Sequence, residues 1–253
     1  IHKTDPRNQD TDGDGYLDGE EVASGYNPLV KAPGDALEGT DPTAPRPIPK
    51  NLTTYLAQIL TQKMAAGEID PSSLSNIDPL NDPIIPYNQV ILDEALSQIA
   101  VRAQGHFAPP EVRDTDLIII QTTSTSAEVR NYLAALSKAV TPSKELIALN
   151  KRELEIILDT IESKDTGEVA VFLDSLRQNI TNMKKVAVPR DFADLHMQAL
   201  SLLMVDEKIL AATEHFQEDP ATALAGIEAY SNLADALLAL GKNFISRADN
   251  YQL

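Results

Sequence analysis

The chain has 253 residues, with 38 acids against 21 bases, a formal net charge of −17 and no cysteine. That charge repels nucleic acid and anionic membrane surfaces, so neither is expected as a partner, and disulfides and thiol chemistry are excluded. No apolar run reaches the roughly 18 residues a membrane-spanning helix needs, so direct membrane insertion is not expected.

The first element in chain order is "DTDGDGYLDGEE", residues 10–21, which crowds Asp10, Asp12, Asp14, Asp18, Glu20 and Glu21 into one short segment with three glycines. Like charges at this density need a cation to hold them. Calcium takes hard oxygen ligands from loop positions 1, 3, 5, 7, 9 and 12 of a helix–loop–helix site. Counted from Asp10, these positions are Asp10, Asp12, Asp14, the Tyr16 carbonyl, Asp18 and Glu21. Gly15 stands at position 6, where the backbone turns sharply and glycine alone does so without steric cost. Every slot of D-x-[DN]-x-[DN]-G-x5-E is filled, whereas an acidic linker would not place ligands by position. Asp18 is expected to bind directly or through water, and Glu21 through both oxygens.

The approach "IHKTDPRNQ" lacks the helix that precedes an ordinary EF-hand loop, because Pro6 interrupts it and apolar residues at helical spacing are missing. The longer stretch "TDPRNQDTDGDGYLDGEEVASGYNPL", residues 4–29, resembles the calcium-binding repeat of thrombospondin type 3 as found in bacterial surface and secreted proteins. The resemblance implies an extracellular or cell-surface location, a calcium cofactor, and Asp10, Asp12, Asp14, Asp18 and Glu21 as ligands. A similar loop in the protective-antigen type of toxin component holds two calcium ions, which makes Asp5, Asp35 and Asp41 candidates for a second one. The family repeats this unit in tandem, but here Leu29 is followed by "VKAPGDALEG" with no second loop. A rod of repeats is therefore not expected, nor a dockerin, which needs two loops. The chain opens at Ile1 inside what reads as a repeat, and an upstream signal or anchor is expected.

Residues 1–30 thus form a calcium-binding module, and 31–49 a proline-rich linker whose "TAPRPIPK" should be extended and stiff. Residues 50–253 read as an all-α bundle of about six or seven helices, making the fold class mainly α. Leu52, Tyr55, Leu56, Ile59, Leu60 and Met64 share one face of a first helix, and a second runs from Leu92 to Ala103. Thr125 and Glu128 make a capping box for a third. Thr141-Pro142 opens a fourth running on through Leu154, Ile157 and Ile161, and "SKDTGE" turns the chain into a fifth that carries Val169, Leu173, Leu176, Ile180 and Met183. Pro189 and Pro220 start two long final helices, apolar on nearly every side, with Asp219 capping the second. "DLIII", 116–120, resembles a strand but has no partner for a sheet.

The bundle carries no G-x-S-x-G, P-loop, G-x-G-x-x-G or H-E-x-x-H motif. His2, His106, His196 and His215 are scattered, and His196 reads as a satisfied core histidine on an apolar helix. The acids of "KRELEIILDTIESKD" alternate with bases as on a solvated face. The tripeptides "NLT" and "NIT" match a glycosylation acceptor too often by chance to weigh. Two function classes remain. One is a non-catalytic surface or secreted calcium-binding protein whose helical domain contacts protein partners or associates with itself. The other is a secreted hydrolase or small-ligand-binding domain whose site is assembled from distant residues. The lack of any local catalytic motif favours the first.

Overall fold

The computed structural model describes residues 3–5, 11–12, 16, 18–31, 34–37, 39–40, 51–65, 102–120 and 124–252. Two compact units result, Ile1–Gly105 and His106–Leu253. Residues 92–101 of the expected second helix and most of the proline-rich stretch lie outside the described residues; the end of that helix is described, helical over 102–106 with Ala103 buried.

In the first unit, the short helix α1 spans Asp18–Ser24 and α2 spans Leu52–Ala65. The Thr54 N–H donates to Asn51 Oδ1 (2.7 Å), so the asparagine of "NLT" caps α2. Leu52, Tyr55 and Ile59 are buried, as their helical spacing requires. Helix α2 therefore belongs to the same compact unit as the acidic loop.

The second unit contains, in order, strand β1 (Ile118–Ile120), α3 (Ser126–Ala139), α4 (Lys144–Leu149), α5 (Glu153–Ser163), α6 (Gly167–Met183), β2 (Ala187–Pro189), α7 (Ala193–Glu214) and α8 (Pro220–Asp249). The chain is mainly helical, as expected. Helix α3 begins at the capping box, in which the Glu128 N–H donates to Thr125 Oγ1 and the Thr125 N–H to Glu128 Oε2 (2.8 Å). Helix α8 begins where Asp219 accepts from the Thr222 N–H (3.2 Å), with Pro220 in its first turn.

The structure corrects three expectations. The expected fourth helix is two, because Asn150 adopts a left-handed conformation (φ 50°) that ends α4 before α5 starts. Its cap is Ser143, which accepts from the Leu146 N–H, and Pro142 lies just outside. Second, β1 does find a partner: it pairs in parallel with β2, placing Ile119 beside Val188 and Ile120 beside Pro189. A parallel pair needs a long crossover, which α3 to α6 provide. Pro189 consequently ends a strand instead of starting a helix, and a 3-10 turn, Arg190–Phe192, leads into α7.

The third correction concerns the final helices. Helix α7 is buried on several sides because α5, α6 and α8 all pack against it, and Leu200, Ile209 and Leu210 are sealed in the core. Helix α8 is covered on one side through Ala223, Gly226, Leu233 and Leu240, but Leu224, Leu238 and Ile245 are more than half exposed. Its apolar arc is wider than the surface α7 can cover. Phe192, also sealed, joins the ends of these helices, with Tyr132, Phe244 and Tyr251 rings centred 5.4, 6.1 and 6.1 Å away.

Candidate metal centre

Asp10 and Asp14 lie outside the described residues; Asp12, Tyr16, Asp18 and Glu21 lie within them. Asp18 opens α1, and both of its carboxylate oxygens accept from Thr11: Oδ1 from the Thr11 N–H and Oδ2 from its hydroxyl, each at 2.7 Å. The Thr11 hydroxyl oxygen in turn accepts from the Asp5 N–H (3.0 Å). Asp18 is thus a brace across the loop, closing it from position 2 to position 9. Glu21, one turn into α1, is 2% exposed, and Asp12 is half-buried. Burying an ionised carboxylate is costly unless donors, a proton or a cation compensate it. The available donors are hard carboxylate and carbonyl oxygens, the set calcium prefers, so the residues fit that ion. Among the described residues, no three His, Asp or Glu side chains meet as a closed ligand set.

The chain after α1 folds back on the loop's own unit. Gly25 (φ 83°) ends α1 in a Schellman motif, in which the Tyr26 N–H donates to the Glu21 carbonyl (2.7 Å) and the Gly25 N–H to that of Val22 (3.3 Å). Tyr26 then bridges Ala36 in antiparallel fashion, with the Asn27 N–H donating to the Asp35 carbonyl (2.8 Å) and the Leu37 N–H to that of Gly25 (2.9 Å). The fold-back buries Asp35 to 4% exposure, whereas Asp5 is exposed and Asp41 lies outside the described residues. Of the two described second-ion candidates, Asp35 is the buried one. Gly25 itself tolerates no side chain: a Cβ there would stand 2.2 Å from Thr40 Oγ1, on a backbone that L residues rarely adopt. Gly25→Ala is expected to destabilise this unit by about 2 kcal/mol or more, read as increased proteolysis of residues 18–40. An unchanged digestion pattern would contradict this.

In the second unit, His196 is the satisfied core histidine expected. Its Nε2 donates to the Met183 carbonyl (3.1 Å), so its Nδ1 accepts from the Tyr132 hydroxyl (3.1 Å), and burial holds its pKa below the usual value. Lys151 bridges Asp159 (3.0 Å) and Glu168 (2.7 Å) in an open polar groove of 480 Å³, which Glu162 and Asp165 also line. The groove's serine, Ser163, donates to the Asp159 carbonyl (2.7 Å) as part of the helix end, and no histidine lines the groove.

The solvated face expected for this region fails at one residue. Glu153, first in α5, faces Asp206 on α7 and Tyr230 on α8. Asp206 is 5% exposed, and although Glu153 is half-buried as a whole, its Oε1 is sealed from solvent. As two carboxylates, neither Glu153 Oε1 nor Asp206 Oδ1 meets a donor. A proton on Glu153 supplies one. Burial first, then the hydrogen bond to Asp206 and that group's charge, push Glu153 up to about 10, and burial raises Asp206 as well. Tyr230 is pushed up to about 12 by burial and by the two acids. The sequence carried no signal for this pair, because an acid at a helix start next to bases normally faces water.

Residues 10–31 match the family model of the bacterial TSP3 repeat. No curated protein and no solved structure matches the chain. The resemblance read from residues 4–29 is therefore matched over the loop, α1 and the start of the fold-back, and the helical unit has no counterpart in these comparisons.

Proposed function

We propose that the protein is a non-catalytic, extracellular or cell-surface calcium-binding protein. Calcium stiffens its N-terminal unit, and the helical unit makes protein contacts, with a second copy or with another protein. The observation carrying this reading is the register of residues 10–21, in which the last ligand position falls on Glu21, a carboxylate buried at the start of a helix. Asp10, Asp12, Asp14, the Tyr16 carbonyl and Glu21 surround the ion, while Asp18, held by Thr11, takes part through water or braces the loop. Outside cells calcium is abundant enough to load even a loop of modest affinity.

The association half rests on α8. Leu224, Leu238 and Ile245 recur at helical spacing on its outer side and are 54%, 61% and 65% exposed. No described helix is long and apolar enough to cross a membrane, so a lipid-spanning role does not account for them. Light scattering on the full chain at high micromolar concentration is expected to show association that the double variant Leu238→Glu, Ile245→Glu abolishes. A strictly monomeric parent chain removes self-assembly and leaves a different protein as the partner.

A further inference from the structure

We infer that Arg102 is a positioning residue for the calcium loop: by stacking on the Tyr16 ring while facing Tyr55 of helix α2, it ties cation loading to the order of that helix. The inference rests on the calcium reading and adds a residue that supplies no ligand. Tyr16 stands at loop position 7, where the ligand is the backbone carbonyl and the side chain can serve another purpose. The Arg102 guanidinium carbon lies 3.5 Å from the centroid of the Tyr16 ring, stacked on its face. The same carbon is 5.8 Å from the centroid of Tyr55. Tyr55 is buried on α2 beside Leu52 and Ile59, so it gives the clamp a fixed wall. All of these residues belong to the Ile1–Gly105 unit.

A loop that must bring its carbonyl to the ion gains from having the adjoining side chain held in advance, because the ordering cost is then met before the cation arrives. By reciprocity, whatever the clamp contributes to binding, the bound ion returns as order in α2. Charge alone acts in the opposite direction, since a cation beside a calcium site repels calcium. The two effects therefore predict changes of opposite sign when Arg102 is removed. Lysine does not substitute, because its compact ammonium lacks the planar face that stacks on a ring.

The test is a calcium titration of the full chain by calorimetry, combined with hydrogen exchange of residues 52–65 with and without calcium. In the parent chain, exchange over 52–65 is expected to slow on calcium addition. Arg102→Gln is expected to weaken calcium binding about five- to tenfold and to remove the calcium response of 52–65, while residues 18–27 still respond. Arg102→Lys should bind calcium more weakly than the parent despite keeping the charge. Tyr16→Leu, which keeps the backbone carbonyl, should reproduce the Arg102→Gln result and serves if that variant does not fold. Affinity that is unchanged or raised in Arg102→Gln and Tyr16→Leu, or a response of 52–65 that survives them, overturns the clamp. A parent chain that binds no calcium overturns the calcium reading itself, and the two failures are told apart by the parent titration.

Discussion

Replacing Glu153 with Gln is expected to stabilise the His106–Leu253 unit at pH 8 by on the order of 2–4 kcal/mol, and to flatten its dependence on pH. Two acids buried face to face cannot both ionise without strong repulsion, so the folded unit keeps a proton on Glu153 up to a pH of about 10. The unfolded chain releases that proton near 4.5. Between these values the unfolded state binds fewer protons than the folded one. The group's stabilisation is therefore complete below about pH 4.5 and is progressively lost as the pH rises towards 10. Glutamine keeps the shape and presents an N–H to Asp206 at every pH, without a proton to lose. Thermal melts at pH 5 and pH 8 check this: the variant should differ little from the parent at pH 5 and gain clearly at pH 8. Equal destabilisation at both values would mean that Glu153 is ionised and otherwise compensated.

Chelating calcium is expected to loosen the Ile1–Gly105 unit while leaving the melting of the helical unit unchanged. Stabilisation by a bound ion scales with its concentration relative to its dissociation constant, reaching about 2.7 kcal/mol at a hundredfold excess. Glu21 explains why the loss should be abrupt, since at 2% exposure its charge cannot turn to water when a ligated cation leaves. Its carbonyl also accepts the Tyr26 N–H that starts the fold-back, so disorder at Glu21 passes to residues 26–37. Protease cuts should appear within residues 18–40 on chelation, while resistance across α3 to α8 persists. A single transition taking both units together would make the ion a keystone of the whole chain.

Much of the helical architecture was legible because its signals are local. Thr125 with Glu128, and Asp219 with Pro220, mark helix starts with side chains that act within one turn, and both caps form as read. The break at Asn150 was missed although asparagine is, after glycine, the residue that most readily turns left-handed at a helix end, because a single asparagine inside an apolar period does so only where packing selects it. Strand β2 was missed because three residues ending in proline carry almost no pattern, and its pairing with β1 is decided by packing across the crossover. The burial of Glu153 was invisible for a similar reason: Asp206 and Tyr230 come from other helices. At the loop, positional spacing identified the ligand candidates, because calcium imposes a fixed order of oxygens along the chain. The Thr11–Asp18 brace and the Arg102 stack follow no such rule, because they are set by how the chain folds around the loop.

The claim that the acidic loop is a calcium site is tested most directly by calorimetric titration of the full chain with calcium, alongside Asp12→Asn and Glu21→Gln. The parent should release or absorb heat with at least one ion bound per chain. Each substitution, which removes a ligand charge while leaving the helical unit intact, should weaken that binding more than tenfold, as the loss of one of few hard carboxylates requires. No calcium-dependent heat at millimolar calcium, or undiminished binding in both variants, would contradict the account.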